Sequence, residues 1–490
     1  MSFIESHILS LLLLLPFLSA ILVAVMPSSR PDLIRKFAIT SATLTFFASC
    51  TLLIFFDSSN TASQLTEHIS WSKRLGTAYA VGIDGISLPM VILTSLLCWV
   101  AIIASSCIKE GHKAYYLLIL LLETAILGVF VAQDWALFYI FWEMTLIPLF
   151  FLIDRWGGKN RQTAALNFVL YTMGGSVFML VSLLVLFEAV PEHSFAMTAM
   201  FNAAQSLPES QQIMIFLGFL IGFGVKMPIF PIHGWLPLAH VEAPSPISIL
   251  LSGILLKMGA YGLLRATPML PKAMESLQFL LMALALFSII YGGLLAWRQY
   301  DLKKMIAYSS VSHMGIVLLG ISTLNITGLT GVVAQMTAHG LVAGATFMLI
   351  GLLYERTKTR DIREYSSLIR VTPRFAILLI LTFIAGVGLP GTFGFVAELH
   401  VLIGGFERWG AWVIFVSLGV IISAIYSLRT IGRLFTGSVR NSMAKVEDIR
   451  AGEMFAVFIL LAALFLFGLV PSLVLDKSIP ALEQIVRIFS

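Results

Sequence analysis

The sequence predicts an all-α protein that crosses a membrane many times, and two observations carry that prediction. The chain has 490 residues, of which 58% are hydrophobic and only 12% charged, whereas soluble domains carry roughly 25% charged residues. The apolar residues are grouped in runs of about 20, the length that a helix needs to span a bilayer. Composition therefore excludes a soluble enzyme, and the net charge of +5 indicates basic loops rather than a nucleic-acid-binding surface.

Fourteen apolar runs predict fourteen transmembrane helices in a single membrane domain, 1–490. The first run lacks a preceding basic segment, so it predicts a retained helix rather than a cleaved signal peptide. The short loops leave no room for a separate soluble domain. The runs lie near 7–27, 34–57, 85–107, 114–132, 135–153, 163–188, 213–240, 245–265, 276–297, 304–323, 327–354, 374–405, 409–436 and 452–473.

The basic residues of the loops predict the orientation of the chain. Lys and Arg split 21 to 7 between the two sets of alternate loops, and both termini belong to the smaller set. Loops that remain inside the cell carry the excess of Lys and Arg. We therefore expect both termini outside and a bacterial plasma (inner) membrane, with the mitochondrial inner membrane as the alternative.

Two runs contain helix-breaking residues, and they predict discontinuous helices 7 and 12. Pro228, Pro231 and Pro237 interrupt the seventh run, and the segment GVGLPG, 386–391, interrupts the twelfth. Broken helices in corresponding places are typical of transporters with inverted repeats. We expect three N-terminal helices (1–112), two inverted five-helix repeats and a last helix with its tail (452–490). The repeats comprise helices 4–8 (113–265) and helices 9–13 (276–437).

No motif in the chain predicts a bound cofactor or metal. GVGLPG matches the dinucleotide fingerprint in its letters, but it lies within a membrane span and follows no strand of a βαβ unit. Cys50, Cys98 and Cys107 form no C-x-x-C pair, so neither a zinc site nor an iron–sulfur cluster is indicated. The chain also lacks recognisable P-loop, haem and flavin motifs.

Ionisable side chains inside the spans are the candidate functional residues. An acid or a lysine at the bilayer centre costs about 2.5–3.5 kcal/mol, so such groups indicate function by default. A structural ion pair is the alternative for Glu143 and Lys226, and a merely local role is equally open for Glu123. The candidates are Glu143, Lys226, Lys257 and Glu398, with His313 and His339 as weaker candidates and Glu123 unassigned.

These residue types suit a proton relay. Burial disfavours the charged form of a lysine, and a nearby carboxylate favours it. If Glu143 approaches Lys226, the lysine holds its proton, and when the pair loosens the proton leaves. Histidines titrate near neutrality and can assist such transfers. The sequence contains no energy source for the transport, which indicates one part of a larger machine.

Four segments that contain these residues resemble the antiporter-like membrane subunits of respiratory complex I. They are FYIFWEMTLIPLFFLI, KMPIFPIHGWLPLAHVEAPSPISILLSGILLKMGAYGLLR, DLKKMIAYSSVSHMG and TAHGLVAGATFMLIG. The resemblance implies that Glu143 is the helix-5 glutamate and Lys226 the helix-7 lysine of a half-channel, and that Lys257 is the connecting helix-8 lysine. It also implies that Glu398 is the terminal helix-12 residue, with His313 and His339 on the central axis.

The resemblance further implies a proton-translocating subunit that couples electron transfer from NADH to quinone to proton pumping. FMN, iron–sulfur clusters and quinone are then expected in partner subunits, and neighbouring antiporter-like subunits are expected beside this chain. The glutamate at position 398, and the absence of a long lateral helix after helix 14, predict one particular member of the family. Multisubunit cation/proton antiporters and membrane-bound hydrogenases contain similar chains and are the alternative. A purely structural scaffold would leave the buried charges unexplained.

Overall fold

The computed structural model describes residues 6–489, which are mostly helical. Its two strands are β1 (Gln64–Ser72) and β2 (Thr77–Ile83). The α-helices are α1 (Ile8–Val25), α2 (Pro31–Phe55), α3 (Ser87–Ala104), α4 (His112–Val131), α5 (Trp135–Met144), α6 (Leu146–Trp156), α7 (Arg161–Ala189), α8 (Met197–Ser206), α9 (Glu209–Lys226), α10 (Trp235–Glu242), α11 (Ser245–Leu250), α12 (Leu256–Ala266), α13 (Pro271–Arg298), α14 (Leu302–Thr323), α15 (Ile326–Thr357), α16 (Leu368–Val371), α17 (Pro373–Gly386), α18 (Phe393–Trp409), α19 (Ile414–Phe435), α20 (Ala451–Leu469) and α21 (Ser472–Val486).

The predicted fold class, an all-α polytopic membrane protein, is confirmed. Within the described residues, twelve helical segments are long and apolar enough to cross a membrane, and one of them comprises α18 and α19 together. The two predicted breaks are present, because α9 ends at Lys226 and α17 ends at Gly386. The count of fourteen spans and the two inverted repeats stay predictions.

Hydrogen bonds between loops place alternate connections on the same face of the helix bundle. The Trp156 indole donates to Glu110 O, and Lys303 Nζ donates to Ala243 O at 2.7 Å. We call this side the basic-loop face, formed by the connections near 105–111, 157–160, 243–244, 299–301, 358–372 and 436–450. The opposite side carries the strands and α21, whose Gln484 donates to Thr61, and we call it the hairpin face.

The β-hairpin was not expected from the sequence, which predicted only a loop between the second and third spans. It pairs Gln64 with Ile83 and Glu67 with Val81 in antiparallel register. Its Glu67 carboxylate accepts hydrogen bonds from the backbone N–H groups of Leu9 and Ser10 at 3.0 and 2.9 Å. A carboxylate at a helix N-terminus satisfies free N–H groups and interacts favourably with the helix dipole. The hairpin therefore caps α1.

Two further helices lie where the sequence predicted loops. Helix α8 is only ten residues long, and α21 carries Asp476, Lys477 and Pro480 within its fifteen residues. Neither is apolar enough to be recognised as a span. Both become helical because one face packs against the bundle, as the buried Met200 of α8 and Leu482 of α21 indicate.

The break after α9 satisfies its own backbone groups. The Trp235 indole N–H donates to Val225 O at 2.8 Å, and Ser288 Oγ of α13 accepts from the N–H of Phe230 at 2.9 Å. Irregular backbone at membrane depth is tolerated only where protein or water supplies such partners. Pro228 and Pro231 therefore lie in the break that follows Lys226, whereas Pro237 lies in the first turn of α10 and does not interrupt that helix.

Candidate functional site

Four of the predicted site residues form a continuous row across the second half of the bundle. Nζ of Lys257 lies 2.7 Å from Nδ1 of His339. The ring of His339 lies 5.1 Å, centroid to centroid, from the ring of His313, and Nε2 of His313 lies 4.0 Å from Oε1 of Glu398. The members come from α12, α15, α14 and α18, so the row joins four separate helices.

Lys257 begins the row from a fully buried position. A single π-helical turn, Leu251–Leu255, directly precedes it, and Ser252 O in that turn accepts a hydrogen bond from Lys257 Nζ at 2.6 Å. Isolated π-turns are frequent at functional sites because they widen the helix locally. The π-turn thus provides a carbonyl for a buried ammonium that would otherwise have to be solvated.

The contact between Lys257 and His339 couples the protonation states of the two groups. An ammonium has three donors and no acceptor, so Nδ1 of His339 accepts while Lys257 is charged. The proton of a neutral His339 ring then lies on Nε2. If the lysine passes its proton to Nδ1, the positive charge moves onto the imidazole across a distance of 2.7 Å. Nζ and Nδ1 remain hydrogen-bonded to each other before and after the transfer.

His313 is placed between acceptors on both sides of its ring. Nδ1 lies 2.8 Å from Ser309 O, and Nε2 lies 3.2 Å from Gly386 O in the break after α17. A neutral imidazole carries one N–H and an imidazolium carries two. The site therefore offers partners for both protonation states, and Oε1 of Glu398 lies 4.0 Å from Nε2.

Glu398 ends the row against the second helix break. Its side chain is 12% exposed, and the break brings Gly388 directly beside it. Gly388 has a φ of +79°, and a Cβ there would lie 2.7 Å from Oε2 of Glu398. Glycine is therefore required twice, for the left-handed backbone and for the close approach of the carboxylate.

Two small cavities adjoin the row. One of about 30 Å³ is lined by both histidines together with Ser309 and Tyr426. The other, of about 10 Å³, is lined by the histidines, Glu398 and Gln335, and Oε1 of Gln335 has no hydrogen-bond partner among the described residues. A cavity of about 10–15 Å³ can hold one water if polar partners surround it. The larger cavity meets that size, and the smaller lies at its lower limit.

Lys226 forms a second centre in the first half of the bundle. Its Nζ donates to Thr145 Oγ1 at 3.2 Å and lies 5.3 Å from the ring centre of Trp142 and 5.5 Å from that of Phe168. Cation–π contacts are strongest when the cation is removed from water, and Lys226 is 1% exposed. The ammonium is thus held by one hydroxyl and two aromatic faces.

Glu143 does not form an ion pair with Lys226 in this structure. Among the described residues, no contact within 4.0 Å joins the two groups. Oε1 of Glu143 is buried and has no hydrogen-bond partner in the part of the chain that the structure describes. The carboxyl group lines an apolar groove of about 640 Å³, together with Tyr139, Met144 and Ile147.

The two centres are connected through the packing of α12 on the end of α9. A Cβ at Gly259 would lie 2.5 Å from Phe223 O and 2.7 Å from Met227 N. The absence of a side chain at this position lets the helix that carries Lys257 touch the backbone where Lys226 ends its helix. A third buried acid, Glu123 on α4, has no hydrogen-bond partner for either oxygen in the described chain and forms no ion pair with either centre.

Several site residues were missed by the sequence analysis. Thr145 lies two positions after Glu143 and could have been recognised as a polar residue within an apolar span. Ser252, Gln335 and Tyr426 carry no signal in one sequence, because their importance depends on a π-turn and on cavities between helices. Among the described residues, no group of three His, Cys, Asp or Glu side chains could hold a metal ion.

The chain matches a known protein family over its central part. The model of the NADH:quinone oxidoreductase/Mrp antiporter transmembrane family matches residues 132–425. A curated relative, NADH-quinone oxidoreductase subunit M of Rickettsia conorii, is 37% identical over 481 residues, which is 96% of this chain and 97% of the relative. NAD(P)H-quinone oxidoreductase chain 4 2 of Thermosynechococcus vestitus is 39% identical and covers 94% of this chain and 89% of its own length.

Solved structures show the same fold. A chain of respiratory complex I from Thermus thermophilus superposes with a TM-score of 0.90 at 30% identity, covering 98% of this chain and 100% of that chain. A chain of the Mrp complex from a Dietzia species superposes with a TM-score of 0.85 at 19% identity, covering 100% and 99%. The second likeness is one of fold alone, whereas the first extends to the sequence.

Proposed function

Because this chain belongs to the NADH:quinone oxidoreductase/Mrp antiporter transmembrane family, as an antiporter-like subunit of the kind named subunit M or chain 4 in its relatives, we propose that it moves protons through its buried ionisable row. In this proposal the complex transfers electrons from NADH to quinone, and the present chain performs no redox chemistry. It contributes the translocation of a proton that the electron transfer drives.

The observation that carries the proposal is the row Lys257–His339–His313–Glu398. Four ionisable side chains from four helices lie within proton-transfer reach of one another, directly or through one small cavity. Packing alone does not require such a row, since an apolar interior of the same volume is often at least as stable. A structural scaffold would therefore not need it.

The direction of proton transfer along the row depends on whether Lys257 or Glu398 holds the proton. A proton that leaves Lys257 for His339 crosses the histidine pair through the adjoining cavities and reaches Glu398. The helix break beside Glu398 supplies Gly386 O as a partner for His313. Rearrangement of that break would disconnect His313 from Glu398, so the break can act as the gate of the row.

Lys226 serves as the proton-holding group of the first half-channel. Thr145 and the aromatic rings hold its ammonium without neutralising it, and Glu143 lies outside direct contact. An approach of the Glu143 carboxylate would stabilise the charged lysine, and its withdrawal would release the proton toward Lys257 through the α9–α12 contact. The pair is thus a switch rather than a static salt bridge.

The partners follow from the same arrangement. FMN, iron–sulfur clusters and quinone belong to other subunits of the complex in this proposal. The apolar groove beside Glu143 exposes Ile147, which is 63% accessible, and a carboxylate there would otherwise face lipid. We assign this groove to a neighbouring antiporter-like subunit. In this proposal the chain lies in a bacterial plasma membrane with its basic-loop face toward the cytoplasm and both termini on the opposite side.

A cation/proton antiporter or membrane-bound hydrogenase subunit is the alternative function, favoured by the fold match to the Mrp complex. Purification of the chain with its partners separates the two. Flavin-containing and iron–sulfur subunits in the preparation support the complex I assignment. A set of cation-antiporter subunits without them would overturn it.

The test of the row itself replaces Lys257 with Met in the assembled complex. We expect NADH-driven proton pumping into inverted vesicles to fall at least tenfold while the subunits remain assembled. The matched control is Lys304→Met on α14, a partly exposed lysine near the basic-loop face and outside the row. Pumping by Lys257→Met at the unmutated rate would refute the relay.

A further inference from the structure

A groove lies between the ends of α13 and α19 at the basic-loop face, away from the ionisable row. Its volume is about 750 Å³, and it is lined by Leu294, Trp297, Arg298, Gln299, Tyr300 and Arg429. The end of α13 meets the last two turns of α19 here, where Arg429 donates to Gln299 O at 2.7 Å. The groove therefore opens at the level where a bilayer meets water.

The groove is positively charged and lacks a compensating acid. Arg298 and Arg429 line it, and Arg433, one helical turn beyond Arg429, adds a third charge that acts on Arg429. None of the lining residues is a carboxylate. The nearby Arg363 is paired with Asp361, so the uncompensated charge belongs to the other three arginines.

Helix dipoles explain only part of this arrangement. Arg298 and Arg433 stand in the last turns of their helices, where basic residues interact favourably with the dipole. Arg429 lies further inside α19, and its Nε is buried without a hydrogen-bond partner among the described residues. Its guanidinium carbon lies 5.6 Å from the ring centre of Tyr300.

An apolar surface continues from the arginines toward the middle of the helices. Exposed side chains follow α13 and α19 away from the charged end: Tyr291, Leu294, Trp297, Ile421, Ile425 and Leu428. Trp297 and Tyr300 stand at the boundary, as aromatic residues do at membrane interfaces. The surface thus joins a cluster of anion-binding groups to a hydrocarbon-binding face.

We propose that this groove binds an anionic phospholipid, with its phosphate on Arg298, Arg429 and Arg433 and its acyl chains along α13 and α19. Guanidinium groups bind phosphate oxygens through paired N–H donors, and basic pockets between transmembrane helices on the cytoplasmic side are typical sites for anionic headgroups. A lipid satisfies both the charge and the adjoining apolar face, whereas free phosphate would satisfy the charge alone.

The experiment uses the intact purified complex and two photoactivatable lipids with identical acyl chains. One is a phosphatidylglycerol and the other a phosphatidylcholine, and labelled peptides are identified by mass spectrometry. We expect phosphatidylglycerol to label the peptide that contains Trp297 at least fivefold more than phosphatidylcholine. Excess inorganic phosphate should leave this difference in labelling in place. If phosphate abolishes the difference, the site binds a free anion rather than a lipid.

Variants make the assignment specific. Arg433→Gln and the pair Arg298→Gln/Arg433→Gln should lower the phosphatidylglycerol label stepwise, because both side chains are exposed and their loss leaves the helix contact of Arg429 intact. Arg370→Gln, an exposed arginine elsewhere on the basic-loop face, should leave the label unchanged. Equal labelling by both lipids, or an unchanged label in the double variant, would overturn the proposal. A cross-link from a photoreactive residue at position 294 to a partner subunit would also overturn it.

Discussion

Nζ of Lys257 and Nδ1 of His339 lie 2.7 Å apart although 82 residues separate them in the chain. The lysine follows a π-turn in α12, and the histidine lies in the middle of α15. Together with Ser252 O at 2.6 Å, the histidine satisfies two of the three donors of a buried ammonium. This contact stabilises the charged form of Lys257, and it also provides the atom, Nδ1 of His339, to which Lys257 can pass its proton.

The first prediction concerns His339. His339→Leu leaves the Lys257 ammonium with the single acceptor Ser252 O, and an unsatisfied charged donor costs about 1–3 kcal/mol or more. Since 1.4 kcal/mol corresponds to a factor of about ten, we expect proton pumping to fall roughly tenfold or more. The measurement is NADH-driven acidification of inverted vesicles. His400→Leu on α18 is the control, and an equal loss in both variants would contradict a specific role for His339.

A second prediction tests the break beside Glu398. Gly388→Ala introduces a Cβ 2.7 Å from Oε2 of Glu398 at a φ of +79°, and the left-handed backbone alone costs about 1–2 kcal/mol for a non-glycine residue. We expect a lower thermal stability of the complex and reduced pumping, because the carboxylate is displaced from His313. Gly432→Ala, where no atom lies within 4 Å of the added Cβ, should show neither effect.

Thr145 provides the third prediction. Thr145→Val keeps the shape of the side chain and removes the hydroxyl that accepts from Lys226 Nζ. A hydrogen bond to a charged group contributes about 1.5–3 kcal/mol, so we expect pumping to fall by about tenfold to a hundredfold. Thr145→Ser should retain most of the activity. Similar rates for the Val and Ser variants would show that the aromatic rings alone hold the ammonium.

The fourth prediction concerns the ion pair on the hairpin face. Burial alone would raise the pKa of Asp84, but the Arg265 guanidinium at 2.5 Å holds that pKa below its usual value. A lowered pKa in the folded state contributes stability above the unfolded value of 3.8, and that stability is lost as the pH falls through the folded pKa. We therefore expect the contribution of Asp84 to persist from neutral pH down to about pH 4 and to disappear below it.

The matching variant is Asp84→Asn, which should destabilise the complex by about 3–5 kcal/mol at neutral pH because it leaves the Arg265 charge unpaired. The double variant Asp84→Asn/Arg265→Met should recover much of that loss. Thermal unfolding followed by tryptophan fluorescence, from about pH 8 down to about pH 2, measures the stability of both variants and the loss of the Asp84 contribution in acid. A single variant as stable as the unmutated chain would contradict the importance of this pair.

Hydropathy predicted the fold class and helix-breaking residues predicted both breaks. Each signal depends only on residues that are close together in the sequence, so one sequence is enough to read it. The family resemblance is confirmed by curated relatives over 96% of the chain. Lys257, His339, His313 and Glu398 could be selected as candidates because a charge inside an apolar run is visible in one sequence. Their roles in proton transfer remain predictions.

Contacts between helices could not be predicted in the same way. The sequence suggested Glu143 as the partner of Lys226, whereas the structure gives the ammonium Thr145 and two aromatic rings. The π-turn before Lys257 has no sequence signature, since it depends on how α12 packs. The β-hairpin was missed because hydropathy describes what enters a membrane and says little about short strands outside it.

The Glu67 carboxylate that closes the start of α1 has a consequence for biogenesis. The first helix leaves the ribosome 58 residues before the side chain that accepts its N–H groups, so the start of α1 stays uncapped until the hairpin has been synthesised. In a nascent chain arrested before residue 64, the N–H groups of Leu9 and Ser10 would lack the Glu67 carboxylate as their acceptor. Formation of the hairpin is thus the step that completes the hydrogen bonding at the start of α1.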